Sequence, residues 1–395
     1  MKKLVSLVMA IAMMLCLVAS AETAGIPADQ IKVGAIILHD ENVGYDYAHI
    51  TGINAAAEAN GLSAEQVIYE YNIAENEDCL SAAKRLVAQG CNVIFADSFG
   101  HEDYMIEAAS SYPNVMFCHA TGYQAASTGM ENITNYFTNV YESRYISGVV
   151  AGMKLAEQYG AETEMKIGYV GAFSYAEVVS GYTAFYLGVR SVCPNVTMEV
   201  KYTGSWADQA IEREVAQSLI EGGCVLIAQH ADTTGAASAC EEKGVWHVGY
   251  NVGMIDTSPN YHLVSASNNW AAYYTYAVEC MINGVEIPTD WSAGYADGAV
   301  TTTELNTAIA AEGTAEKIAE IEQQIINGEL QVFDTSKWTV GGETITSTTE
   351  IDGYYGAEYI FTDANGVSYF AESTLASAPA FAFRIDGITE LNEMY

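Results

Sequence analysis

The stretch Ala82-Ala83-Lys84-Arg85-Leu86-Val87-Ala88-Gln89-Gly90-Cys91-Asn92-Val93-Ile94-Phe95-Ala96-Asp97 returns as Val215-Ala216-Gln217-Ser218-Leu219-Ile220-Glu221-Gly222-Gly223-Cys224-Val225-Leu226-Ile227-Ala228-Gln229. Ala83, Leu86, Gly90, Cys91 and Ile94 fall on Ala216, Leu219, Gly223, Cys224 and Ile227 at one constant offset. Each copy reads as the end of a helix with apolar residues three or four apart, a glycine stop, and a short buried strand. The prologues match as well: Lys32-Val33-Gly34-Ala35-Ile36-Ile37 opens the first copy and Lys166-Ile167-Gly168-Tyr169-Val170-Gly171 the second. A strand-helix-strand-helix-strand unit written twice implies an α/β chain with two similar parallel-sheet lobes. Ligands of such sheets sit beyond the carboxyl ends of the strands. The expected cleft is therefore lined by Asp97-Ser98-Phe99-Gly100 from one lobe and Gln229-His230-Ala231-Asp232 from the other.

The chain has 395 residues, enough for two substantial cores. Lys+Arg number 15 against 50 Asp+Glu, a formal charge of −35. Such an excess repels phosphate backbones and anionic membranes, which excludes nucleic acid as a partner. Residues 1–21 read as a signal peptide: Lys2 and Lys3, an apolar run from Leu4 to Val18, then Ala19-Ser20-Ala21. The run is too short for a comfortable span, so the mature protein is expected to be exported and not embedded in a membrane. Cys16 suggests lipidation, but Leu15 stands where a small residue is expected. The seven later cysteines are scattered without paired spacing, which argues against a disulfide framework and against zinc.

Along the chain, Tyr45 and Tyr47 open the first helix, placed either to stack on a ligand or to pack at the helix start. Phe173 and Tyr175 take the corresponding position in the second lobe, and Trp206 lies in a loop after a strand, facing the cleft. Glu142 and Arg144 lead into a small-residue helix at a lobe junction, as a ligand-facing pair or a structural ion pair. Gly148-Val149-Val150-Ala151-Gly152 reads as close helix packing. Lobe one is expected over 31–140 with 264–297, and lobe two over 141–263 with 298–335. A β-rich extension follows at 336–395, with Asp363-Ala364-Asn365-Gly366 as a hairpin turn. No nucleophile elbow, HExxH run, phosphate loop or dinucleotide fingerprint appears, and no cofactor or metal is expected. An aromatic cleft with few charges predicts binding by stacking and hydrogen bonding.

Asp97-Ser98-Phe99-Gly100, His119-Ala120-Thr121-Gly122-Tyr123, the run Tyr141 to Gly152 and Gly188-Val189-Arg190-Ser191-Val192 carry a family resemblance. Ser205-Trp206, Gln229-His230-Ala231-Asp232 and Gly244-Val245-Trp246-His247-Val248-Gly249-Tyr250 continue it. From about Lys32 to about Gly298 the chain resembles the basic membrane protein family of ABC-transporter substrate-binding proteins, which includes bacterial purine nucleoside receptors. The resemblance implies a type I periplasmic-binding fold, two Rossmann-like lobes joined by three crossovers and a hinge, closing on a small ligand for delivery to a permease. It implies ligand roles for Trp206, Tyr45, Glu142 and Phe99. Where nucleoside receptors carry an aspartate and a lysine, this chain has Asn251 and Asn268, which tilts the expectation from a nucleoside towards a bare purine such as adenine. The competing expectations are an exported nucleoside-processing enzyme using Glu142 or Asp232, and a sensory receptor on the same fold.

Overall fold

The computed structural model describes residues 25–354 and 356–395, so the expected signal peptide and Cys16 lie outside the described residues. Strands and helices are numbered in chain order. The first sheet holds β1 (Val33–Ile36), β2 (Val67–Glu70), β3 (Val93–Ala96), β4 (Met116–Ala120), β5 (Ile133–Thr138) and β11 (Asp290–Ala293). The second holds β6 (Met165–Gly171), β7 (Val196–Tyr202), β8 (Leu226–Gln229), β9 (Trp246–Tyr250), β10 (His262–Asn268), β12 (Val300–Thr302) and β15 (Ile388–Glu390). A separate antiparallel hairpin pairs β13 (Ile360–Thr362) with β14 (Ser368–Phe370) around the expected turn. The helices are α1 (Gly44–Ala59), α2 (Glu77–Ala88), α3 (Glu102–Ser111), α4 (Ala125–Thr128), α5 (Val140–Tyr159), α6 (Ala176–Val192), α7 (Gln209–Glu221), α8 (Gly235–Lys243), α9 (Ala271–Asn283) and α10 (Thr314–Ile326).

The sheets repeat one order. The first runs β2-β1-β3-β4-β5-β11 and the second β7-β6-β8-β9-β10-β12, with β15 added outside β7. All pairs are parallel except β10 with β12. Strands buried on both faces explain why β1, β3 and β8 as far as Ala228 read as unbroken apolar runs and not as alternations. The sequence echo is a packing echo. Leu86 on α2 rests on Gly34 of β1, where an added Cβ would lie 2.9 Å from its Cδ1; Leu219 on α7 rests on Gly168 of β6, with 3.1 Å to its Cβ. The two helices also start alike, α2 capped by Asn76 accepting from Asp78 N and α7 by Asp208 accepting from Ala210 N and Ile211 N.

The chain passes between the sheets at residues 138–140, 268–271 and 293–300. Strand β10 belongs wholly to the second sheet, so the return to the first lobe falls after Asn268 and not before residue 264. Helices α5 and α6 pack backbone to backbone, since a Cβ on Gly148 would meet Phe185 O at 2.1 Å and one on Gly188 would meet Tyr145 O at 2.1 Å. The small-residue run in α5 thus has a packing reason.

The region after residue 336 is more than an appendage. Trp338, Phe370, Phe381 and Ile385 are buried within the same hydrophobic cluster as Tyr169, Phe185 and Val200 of the second lobe. Its strand β15 extends the second sheet at β7. All seven cysteines among the described residues are free and buried, behaving as small hydrophobes.

Candidate functional site

In a sheet of order 2-1-3-4-5 the ligand crevice opens where the connections diverge from the first strand, beyond the strand ends. Here that rule applies twice, on two sheets that face one another. The first lobe contributes Leu38 after β1, Tyr45 and Asp46 from the first turn of α1, Asp97-Ser98-Phe99 after β3 and Thr121 after β4. The second contributes Glu177 from the first turn of α6, Trp206 after β7, His230 and Asp232 after β8 and Tyr250 at the end of β9. The space between them, counted with the part open to solvent, is about 350 Å³.

The mouth is shut by contacts between lobes. Phe99 stacks on Tyr175 with ring centroids 4.8 Å apart, and Gly44 N donates to Asp232 O at 3.2 Å. Behind Tyr175, Phe173 stacks on it at 5.3 Å and meets the edge of Trp206 at 5.0 Å. Backbone strain is stored here too: Thr121 holds φ at 64° and Asn251 at 61°. For a β-branched threonine that conformation is costly, and such outliers gather at ligand sites.

Four carboxylates, Asp46, Asp97, Glu177 and Asp232, line the cavity, and none of the lining residues is Lys or Arg. This corrects the expectation of a cleft with few charges. Sequence spacing could not reveal the set, because its members come from four different elements. Asp46 accepts from His39 N at 2.7 Å, and Asp97 Oδ1 accepts from Leu38 N at 3.1 Å. Asp97 Oδ2 is buried with no partner. Burial first, then the charge of Asp46, pushes the Asp97 carboxyl well above its ordinary pKa. Asp232 is raised in the same way, by burial and then by Asp46, Glu212 and Glu177. His230 lies 3.2 Å from Glu177, yet burial and then the nearby Arg144 lower its pKa. Arg144 itself lies behind the cavity, its guanidinium 3.6 Å from the Tyr250 ring centroid and its Nη1 donating to Gln229 O at 2.7 Å. Among the described residues no group of three or more His, Cys, Asp or Glu is placed to hold a metal ion. The arrangement can grip an apolar ring between aromatic faces and offer hydrogen-bond acceptors around its edge.

Of the residues expected from sequence, Tyr45, Ser98, Phe99, Trp206 and Asp232 line this cavity. Phe173 stands one layer out, supporting Trp206 and Tyr175. The others lie at the crossovers. Glu142 accepts from Tyr295 N at 2.8 Å, joining the first and third connections, and burial raises its pKa to about 7. Asn268 accepts from Thr138 Oγ1 at 2.5 Å and donates to Asn251 Oδ1 at 2.9 Å, tying the first connection to the second. Asn251 reaches the cavity only through Asp232, at 3.4 Å. Sequence reading passed over Asp46 and Glu177. The signal was present, since each follows the aromatic that opens the first helix of its lobe: Tyr45-Asp46 in one, Tyr175-Ala176-Glu177 in the other.

Two like-ordered parallel sheets, three crossovers and a cavity between strand ends define a two-lobed solute-binding protein. The model of the Bmp family, described as ABC transporter substrate-binding protein PnrA-like, matches residues 37–336. The chain belongs to this family. It is 31% identical over 330 residues to a purine-binding protein of Brucella abortus, covering 81% of this chain and 90% of that one. It is 35% identical over 247 residues to a protein of Haloferax volcanii named a putative ABC transporter glucose-binding protein, covering 62% of this chain and 60% of that one. Among solved structures, a solute-binding protein from Aeropyrum pernix superposes with a TM-score of 0.64 at 15% identity, covering 77% of this chain and 93% of that one. One from Conexibacter woesei gives 0.60 at 18%, covering 76% and 98%. The family is one of solute-binding proteins. No helix among the described residues is long and apolar enough to cross a membrane.

Proposed function

We propose that this chain is the exported receptor of an ABC importer and carries a purine base, adenine being the reference case, to its permease. The observation that carries the reading is the lining of the cleft: aromatic faces from both lobes around four carboxyl groups. A planar heterocycle stacks between Tyr45, Phe99 and Trp206, each aromatic pair contributing about 0.5–1.5 kcal/mol beyond area burial. Its ring N–H and amino groups donate to the carboxyl oxygens around it, Asp97 Oδ2 among them. An anionic ligand such as a nucleotide is disfavoured, because four carboxyl groups and no Lys or Arg line the cleft. Asn251 and Asn268, engaged with each other and with Thr138 at the lobe junction, favour the base over the nucleoside. The purine-binding relative supports the same choice.

A second reading is a hexose, since carboxylates accept from hydroxyl groups as readily as from N–H, and a glucose-binding relative stands behind it. A thermal-shift screen of refolded, ligand-stripped protein separates them. A ligand at about a hundred times its dissociation constant adds about 2.7 kcal/mol, a clear rise in midpoint. Adenine, guanine or hypoxanthine is expected to raise it more than adenosine, guanosine, inosine, riboflavin, ribose or glucose. A shift with glucose alone would transfer the assignment to the hexose.

A further inference from the structure

The family match ends at residue 336, yet the last residues of the chain reach the two loops that carry the second-lobe aromatics. One loop holds Phe173 and Tyr175 with Ser174 between them. Ser174 N donates to Met394 O at 2.7 Å, Met394 N donates to Ser174 Oγ at 3.0 Å, and Arg384 Nη2 donates to Ser174 O at 3.3 Å. The backbone N–H, carbonyl and hydroxyl of this buried serine are thus all engaged by the C-terminal region. The other loop leaves β7 at Tyr202 and carries Trp206. Tyr202 N donates to Asn392 Oδ1 at 2.8 Å and Asn392 Nδ2 donates back to Tyr202 O at 3.0 Å, a reciprocal clasp at the root of that loop. Glu390 accepts from the hydroxyls of both Tyr182 and Tyr202, which anchors the approach to the clasp.

Loops carry binding residues but are the least rigid parts of a fold. Fixing them in the bound conformation beforehand removes an ordering cost from association. We infer that residues 390–394 are positioning residues, a brace that sets the aromatic wall of the second lobe before ligand arrives. Leu391 and Met394 are 48% and 38% exposed, so they add little to the core. The inference rests on the reading of the cleft as the solute site.

Its test uses the full mature chain, a chain ending at Glu390, and Asn392→Ala. Amide exchange is followed by mass spectrometry in ligand-free protein across 172–176 and 200–206. In the truncated chain both segments are expected to exchange about tenfold faster, in Asn392→Ala the second alone, with the thermal midpoint nearly unmoved. Adenine affinity by calorimetry is expected to fall about tenfold in the truncated chain and less in Asn392→Ala. Unchanged exchange in both segments overturns the brace, and so does faster exchange with unchanged affinity. A mature chain that binds no purine defeats the ligand reading separately, and the exchange comparison then decides the brace alone.

Discussion

The two lobes share a strand order, a glycine under a leucine and a capped helix, but they furnish the cleft differently. The first lobe's wall is set close to its strands. Tyr45 sits in the first turn of α1, its hydroxyl donating to Asp97 O at 3.1 Å, and Asp97 follows β3 directly. The second lobe's wall is built on loops, where Phe173, Tyr175 and Trp206 pack on one another. It is this lobe that has recruited sixty further residues' worth of chain, 336–395, for its core, its sheet edge and its loops. The comparison teaches that a duplicated scaffold fixes where a site lies, while its side chains diverge and draw support from wherever the chain can supply it. In the first lobe the outer edge is β2, half-buried throughout; in the second, β15 covers the equivalent edge at β7.

The sharpest break of that comparison is in stability. Trp338 is 2% exposed, packed edge-on to Phe381 at 5.2 Å. Trp338→Ala is expected to cost about 3–5 kcal/mol in denaturant unfolding, the loss typical of a large core side chain. A cost below about 1 kcal/mol would return the tail to the status of an appendage.

Next comes binding. Trp206→Ala removes the aromatic that backs the second wall and is expected to weaken adenine binding at least about tenfold, about 1.4 kcal/mol. Asp97→Asn probes the opposite wall and should also weaken a ligand that donates to Oδ2, with the calorimetric stoichiometry unchanged.

The third test uses pH. Burial raises the carboxyls of Glu142, Glu212 and Glu372 to about 7. Each holds its proton more tightly folded than unfolded, so the folded chain binds more protons between the ordinary glutamate value near 4.5 and about 7. Unfolding free energy therefore falls as pH rises through that window, and the full stability is present below it. Glu372 accepts from Ser180 Oγ and Ser373 Oγ inside the second lobe, and a glutamine there keeps an acceptor for the Ser180 hydroxyl. Glu372→Gln should flatten the decline and raise stability at about pH 8 by on the order of 1 kcal/mol, with little effect at about pH 4. An unchanged slope would show that Glu372 is ionised in the folded protein without cost.

The smallest effects lie in the repeat itself. Asn76→Ala and Asp208→Ala remove equivalent helix caps and should each cost about 0.5–2 kcal/mol, Asp208 the more because it satisfies two amides. A reversed order in urea unfolding would break the parallel drawn between α2 and α7.

The repeat was legible because close packing constrains it: Gly34 under Leu86 and Gly168 under Leu219 leave little choice of residue. Trp206, Tyr45 and Phe99 were legible as cleft candidates because they follow strands or open a helix at the strand ends, though Tyr45 and Trp206 also pack against the cores. Glu142, Asn251 and Asn268 were legible as polar residues at lobe junctions, but the same chemistry serves a hinge. Only the hydrogen bonds to Tyr295 N and between the two asparagines distinguish the roles. The carboxylate set was hidden because its members are far apart in sequence and meet only when the sheets face each other. The tail was hidden for a related reason. Its short alternating runs read as a local β element, while the aromatics that bury it, Trp338, Phe370 and Phe381, are spread along the chain without helical or strand period.

The central claim is that both walls close on one purine base. Isothermal titration of the ligand-stripped protein with adenine, adenosine and glucose tests it most directly. The account predicts one-to-one binding of adenine, tighter than adenosine, with a negative heat-capacity change from buried ring surface. Saturable heat with glucose and none with either purine would contradict it.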